Sequence, residues 1–187
     1  MNEIKSVREQ LLEHAIALMA TRGYHGFSYR DLSHLVGVKT ASIHYHFPIK
    51  ADLVFEAVNR YTKDTLDSLI SIDSCSSAEL KLREYTRLFG RVLGDGNRIC
   101  LCGMLAADLD ALPDHVRAAV QTFFLMNENW LANVLAQGAR EGTLDARGNP
   151  DVTARTLSAA YQGSVLASRL HGTDSRLEEV EEFWRIA

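Results

Sequence analysis

Proline and cysteine are both scarce in this chain, with three residues of each among 187. So few prolines leave long stretches free to run as helix, and no strongly alternating β-branched run competes for them. The three cysteines, Cys75, Cys100 and Cys102, are an odd count with no metal-finger spacing, which fits a reducing cytoplasm better than a disulfide scaffold. No stretch approaches the length of a membrane-spanning helix. The opening residues MNEIKSVREQ are charged and lack the apolar core of a secretory signal, so none is expected. A Gly-rich phosphate loop, an HExxH pair and a nucleophile with an evident base are also missing, which argues against an enzyme. His44 and His46 stand two apart on a short helix and diverge, so they make a poor metal pair, and no cofactor is expected.

Excess positive charge is lacking too, because the chain carries −4 overall. That charge is not spread evenly. Residues 1–50 hold six Lys and Arg against four Asp and Glu, a net +2, so the remainder carries −6. Five of the seven histidines, His14, His25, His34, His44 and His46, fall in the same first part. The amino-terminal end is therefore the one suited to face a polyanion.

An apolar content of 47% is ample for a buried core, and its spacing is helical. A first helix reads from about Lys5 to Arg22, with Ile4, Val7, Leu11, Ala15 and Leu18 as one stripe and Gly23 as its stop. Ser28 opens a second, with Asp31 three residues on in a capping box and Leu32, Leu35 and Val36 facing inward until Gly37 ends it. A third runs roughly from Thr40 to Phe47 and stops at Pro48. A fourth, carrying Val54, Val58, Tyr61 and Thr65, is long enough to act as a connector.

Downstream, Leu80 to Leu93 is periodic, and Gly94, Asp95, Gly96 and Asn97 make a turn. A short helix covers about Cys100 to Leu112. The longest periodic segment runs from Pro113 to about Arg140. Asn149 and Pro150 start another that reaches His171. Ser175 with Glu178 opens the last. The fold class expected is all-α with about nine helices. An amino-terminal three-helix bundle over residues 1–50 would contain a helix-turn-helix. A larger helical domain would span residues 51–187.

The segment from Ser28 to Leu53 carries the functional signal. Its third helix gathers Thr40, Ser42, His44, Tyr45 and His46, with Lys39 and Lys50 at either end. A solvated face would more often carry Glu and Lys. A helix lying in the major groove needs this mixture of short and aromatic hydrogen-bonding tips. Val38 and Ile43 would anchor it, leaving Lys39, Thr40, Ala41, Ser42, His44 and Tyr45 to face double-stranded DNA. Ser28 at a helix amino terminus suits a phosphate, with Arg30 and Lys50 adding charge on either flank.

GVKTASIHYHFPIKADL resembles the signature of the TetR family of bacterial transcriptional regulators. Gly37, Val38, Ile43, His46, Phe47, Lys50, Asp52 and Leu53 match in order, and RGYHGFSYRDLSHLVG fits upstream. The resemblance implies an all-helical homodimer that binds a palindromic operator, usually as a repressor. Lys39 to Tyr45 would read bases or backbone, while Ser28 and Lys50 would hold phosphates. Three positions depart from the pattern. His44 stands where Tyr is usual, and Lys39 where a Ser or Thr cap is common, so Thr40 would have to cap. Ile49 replaces a small polar residue and cannot cap the fourth helix, a loss of about 1 kcal/mol.

The same resemblance places an inducer site in the second domain, where Tyr85, Phe89, Phe123, Phe124, Met126, Asn127 and Trp130 could line an aromatic pocket oriented by Asn127. Each taken singly is better read as ordinary core. The stretch CLCGMLAADLDALPDHVRAAV is similar to the corresponding region of electrophile- and oxidant-sensing members. There Cys100, beside Arg98 and a helix start, would be a reactive thiol, although a small buried hydrophobe is the commoner role. Dimerisation would use the small residues Ala159, Ala160, Gly163, Ala167 and Ser168 with Phe183 and Trp184, unless those faces pack within one chain. A helical ligand carrier that never touches DNA is the reading from a different class.

Overall fold

The computed structural model describes residues 5–96, 98–144, 148–173 and 175–185. Ile4 and Asn97, expected in the first helical stripe and in a turn, lie outside them. Among the described residues there are nine α-helices and no strand, with one isolated bridge between Leu144 and Arg185. The helices are α1 (Val7–Arg22), α2 (Tyr29–Val36), α3 (Thr40–His46), α4 (Lys50–Ile72), α5 (Ala78–Gly94), α6 (Leu101–Ala107), α7 (Asp114–Glu141), α8 (Pro150–His171) and α9 (Ser175–Phe183). A short 3-10 turn, Leu109–Ala111, follows α6, so the expected helix from Cys100 to Leu112 is two pieces.

Local chemistry explains most helix starts. Ser6 caps α1, and its amide donates to the Glu9 carboxylate at 2.7 Å, so the helix begins two residues later than its apolar pattern suggested. Ser28 and Asp31 form the same reciprocal box on α2. Asn149 accepts from the Asp151 amide at 2.9 Å with Pro150 in the first position of α8, where a missing N–H costs nothing.

The chain forms two compact units. The first is Met1–Lys63 with Leu101–Gln121; the second is Asp64–Cys100 with Thr122–Ala187. A division at residue 50 follows composition, whereas packing carries the first unit on into α4 and adds α6, which lies against α1. Within this unit α1 also meets α2, and α2 meets α3. Its core includes Leu11, Ala15, Met19, Leu32, Ile43, Phe47 and Leu53, all buried. Leu35, expected to face inward, is 51% exposed. The inward side of so short a helix is filled by Leu32 and partly by Val36. In the second unit α8 packs on α9, and α5 on both.

Because Ile43 is fully buried, Ile43→Ala is expected to cost about 2–5 kcal/mol. Leu35→Ala should stay within roughly 0.5 kcal/mol. Urea denaturation followed by circular dichroism checks both; equal losses would mean that α2 and α3 pack differently.

Candidate functional site

The α2–α3 pair meets at Gly37, whose φ of 74° and ψ of 29° put it in the left-handed region that favours glycine. The amides of Gly37 and Val38 both bond the Ser33 carbonyl, and the Ser33 hydroxyl donates to the Val38 carbonyl at 2.6 Å. Lys39 then stands at the start of α3 with no side-chain cap. Thr40 does not take over that role; it is the first helical residue, and the Ser42 amide is satisfied by the Lys39 carbonyl at 2.9 Å.

From this start, helical spacing decides which residues are offered outward. Ile43 faces the core, while Lys39, Thr40, Ala41, His44 and Tyr45 are exposed, Tyr45 to 84%. Ser42 and His46 are intermediate, and the His46 ring lies edge-on to Tyr45 at 5.3 Å. Arg30 is exposed on α2. One side of α3 thus presents the hydroxyl, imidazole, phenol and ammonium groups together.

Three supports hold that side in place, and the sequence pattern did not single out their roles. Tyr29, the first residue of α2, donates its hydroxyl to the Phe47 carbonyl at 2.8 Å and sets its ring against His44 at 4.8 Å. Burial, with Asp52's charge adding, pushes the Tyr29 phenol up to about 12, so it stays a neutral donor. Lys50, expected on a phosphate, donates its ammonium to the carbonyls of Tyr24 and Phe27, both at 2.6 Å. It lies over the Phe27 ring at 4.0 Å, and burial lowers its pKa. Two of its three N–H groups are therefore held inside the fold. Asp108, just past α6, accepts the Tyr24 amide at 2.7 Å. It can do so because Gly23 has no side chain; a Cβ there would fall 2.5 Å from the Asp108 carboxylate.

Ser28 is likewise engaged. Its hydroxyl and amide both donate to Asp31, at 2.6 and 2.7 Å, and these bonds hold the Asp31 carboxyl below its usual range. The α2 amino terminus already faces a carboxylate, where the sequence suggested a phosphate. Ile49 is exposed beside the start of α4.

In the second unit, Tyr85, Phe89, Phe123, Asn127 and Trp130, five of the residues expected at a ligand site, come together. Tyr85 stacks on Trp130 with centroids 5.2 Å apart and lies edge-on to Phe89 and to Tyr161. The Tyr85 hydroxyl donates to Asn127 Oδ1 at 3.1 Å, and Asn127 Nδ2 donates to the Phe123 carbonyl at 2.9 Å. Burial first, and then the neighbouring Cys100, raise the Tyr85 pKa. Tyr161 was missed, although it follows Leu157 and precedes Val165 on the inward face of α8. Its ring is parallel to Phe89 at 5.3 Å, and its hydroxyl meets Thr86 at 2.7 Å. Phe124 and Met126 are only partly buried. Cys100 and Cys102 are buried, and Arg98, expected to activate Cys100, is paired with Asp95 at 2.5 Å.

On the α8–α9 surface, Ala160, Gly163, Ala167, Phe183 and Trp184 line one groove of about 530 Å³. Phe183 is 67% exposed. Trp184 is mostly covered by its own chain, and Ser168 is buried within it.

Residues 11–57 match the family model described as bacterial regulatory proteins, tetR family. Residues 89–184 match the one described as tetracyclin repressor-like, C-terminal domain. The chain is 30% identical to a TetR-family transcriptional regulator from Agrobacterium tumefaciens, with a TM-score of 0.91 over 96% of this chain and 98% of that one. It is 31% identical to a TetR regulator from Legionella pneumophila, with a TM-score of 0.88 over 98% and 97%. The HTH-type transcriptional repressor DhaR of Mycobacterium sp. is 24% identical over 92% of this chain and 87% of that protein.

Two expectations follow from this geometry. Asp31's lowered pKa stabilises the fold above the ordinary carboxylate pKa, and that contribution is lost as pH falls through the lowered value. Asp31→Asn should therefore flatten the decline of the urea midpoint between about pH 5 and pH 3. An unchanged slope would remove the capping box from the acid response. Tyr85→Phe keeps the ring but unpairs a buried Asn127 oxygen, and thermal denaturation should register a loss of about 1–3 kcal/mol.

Proposed function

The chain belongs to the TetR family of bacterial transcriptional regulators, and from that premise we propose that it is a homodimeric DNA-binding repressor, released from a palindromic operator by a small molecule bound in the second unit. The observation that carries this reading is the exposed side of α3, with Lys39, Thr40, Ala41, His44 and Tyr45 outward and Ile43 as a fully buried anchor. A helix held this way can enter the major groove while α2 crosses the backbone. Ser42 and His46 flank the reading surface. Arg30 and the remaining N–H of Lys50 are the groups assigned to phosphates. The name of the DhaR relative, a repressor, supports the direction of control.

The inducer is assigned to the neighbourhood of Tyr85, Phe89, Phe123, Asn127 and Trp130, with Cys100 at its edge. A ligand there would carry a polar group able to replace the bond between Tyr85 and Asn127, and would act by favouring the conformation that does not bind DNA. The dimer face is assigned to the α8–α9 groove, because small residues permit close helix approach and Phe183 stands exposed at its margin. Regulation rather than catalysis is the work of such a molecule, and the cytoplasm is where it meets its operator. No helix among the described residues is long and apolar enough to cross a membrane.

A fluorescent duplex from upstream of the chain's own gene should be bound with steep salt dependence. Tyr45→Ala should weaken that binding about ten- to a hundredfold. Absence of any salt-sensitive complex would sink the regulator reading. Gly163 is exposed, and a Cβ placed on it would meet no neighbouring atom within 4 Å, so Gly163→Arg should leave the monomer folded. Sedimentation should then show monomer where the native chain is dimeric, and operator affinity should fall with it. A variant that remains dimeric would move the interface elsewhere.

A further inference from the structure

We propose that operator binding by this chain takes up a proton at His44, whose imidazolium donates from Nε2 to a DNA phosphate while Nδ1 stays bonded to Pro48. The inference rests on the DNA-binding reading above. His44 Nδ1 lies 3.3 Å from the Pro48 carbonyl oxygen. A carbonyl can only accept, so Nδ1 carries the hydrogen whether the ring is neutral or charged. In the neutral ring Nε2 is then a bare acceptor. A phosphate oxygen also only accepts, and the two have no hydrogen bond to make. A proton on Nε2 supplies both the donor and a positive charge, and the bond to Pro48 is kept.

The position of the ring selects phosphate over a base edge. His44 is in the last turn of α3 and lies edge-on to Tyr29, the first residue of α2. In a helix-turn-helix the first helix crosses the backbone, and bases are met mainly by the amino-terminal residues of the second, here Thr40 and Ala41. Ionisable groups stand on each of the neighbouring elements. Tyr29 on α2 is a neutral phenol already donating to Phe47. On the α4 side, Asp52 bears on Tyr29, and Lys50 is directed at the Tyr24 and Phe27 carbonyls. On α3 itself, Tyr45 and His46 lie ring to ring. Of these His46 alone is a second histidine, and it serves as the control.

The test measures the anisotropy of the fluorescein-labelled upstream duplex with the full chain, at constant ionic strength, from about pH 6 to about pH 8, where histidines titrate. For the native chain, affinity should fall as pH rises, by up to about tenfold per pH unit for each proton taken up. The salt dependence should be steeper at the acid end by about one ion per bound copy. H44F should abolish the pH slope with helix content retained. H44R should bind tightly across the range with a flat profile, and H46F should keep the native slope. A flat native profile, or a native slope surviving in H44F or H44R, overturns the proposal while leaving DNA binding intact. No binding by the native chain at any pH overturns the regulator reading and this proposal together.

Discussion

A seven-residue helix cannot hold itself together in water, because nucleation is costly and two turns return few hydrogen bonds. The surface offered by α3 therefore depends on tertiary docking alone. Ile43 and Phe47 sink into the core of the first unit, and the Tyr29 hydroxyl ties down the carbonyl at the helix end. The turn before it is fixed by Ser33 and by the left-handed backbone of Gly37. Lys39 gives no side-chain cap that could offset a lost anchor.

The same logic reaches the loop between α1 and α2. Its backbone groups need partners, and they find them in side chains remote in sequence. Lys50 takes two carbonyls, and Asp108 takes one amide. Charged groups are strong partners for backbone dipoles when water is partly excluded. The Lys50 ammonium is in this way a structural cation first, although a composition count places it among the DNA-facing charges.

The fold was legible from the sequence because helices advertise themselves. Ser28 with Asp31, Asn149 with Pro150, and the 3.6-residue spacing of buried positions in α7 all signal locally, and all are present in the structure. Most of the outward set on α3 was legible for the same reason, since Ile43 fixes the phase of so short a helix, although Ser42, expected outward, and Val38, expected as an anchor, are both intermediate. Packing between distant segments was not. Nothing near Gly23 announces Asp108, and nothing near Lys50 announces the Tyr24 and Phe27 carbonyls. Tyr161 was hidden by its small neighbours Ala160 and Gly163, which drew attention to the opposite face of α8. Arg98 beside Cys100 suggested activation, but the nearer demand of Asp95 claims its charge.

The bond between Asp108 and the Tyr24 amide spans 84 positions, and it joins pieces of one unit made at different times. A ribosome completes residues 1–63 early, then synthesises the 37 residues from Asp64 to Cys100 before α6 emerges. Until then the α1 face that α6 covers and the Tyr24 amide have no native partner. The first unit of a nascent chain thus stays open until the second is already under way.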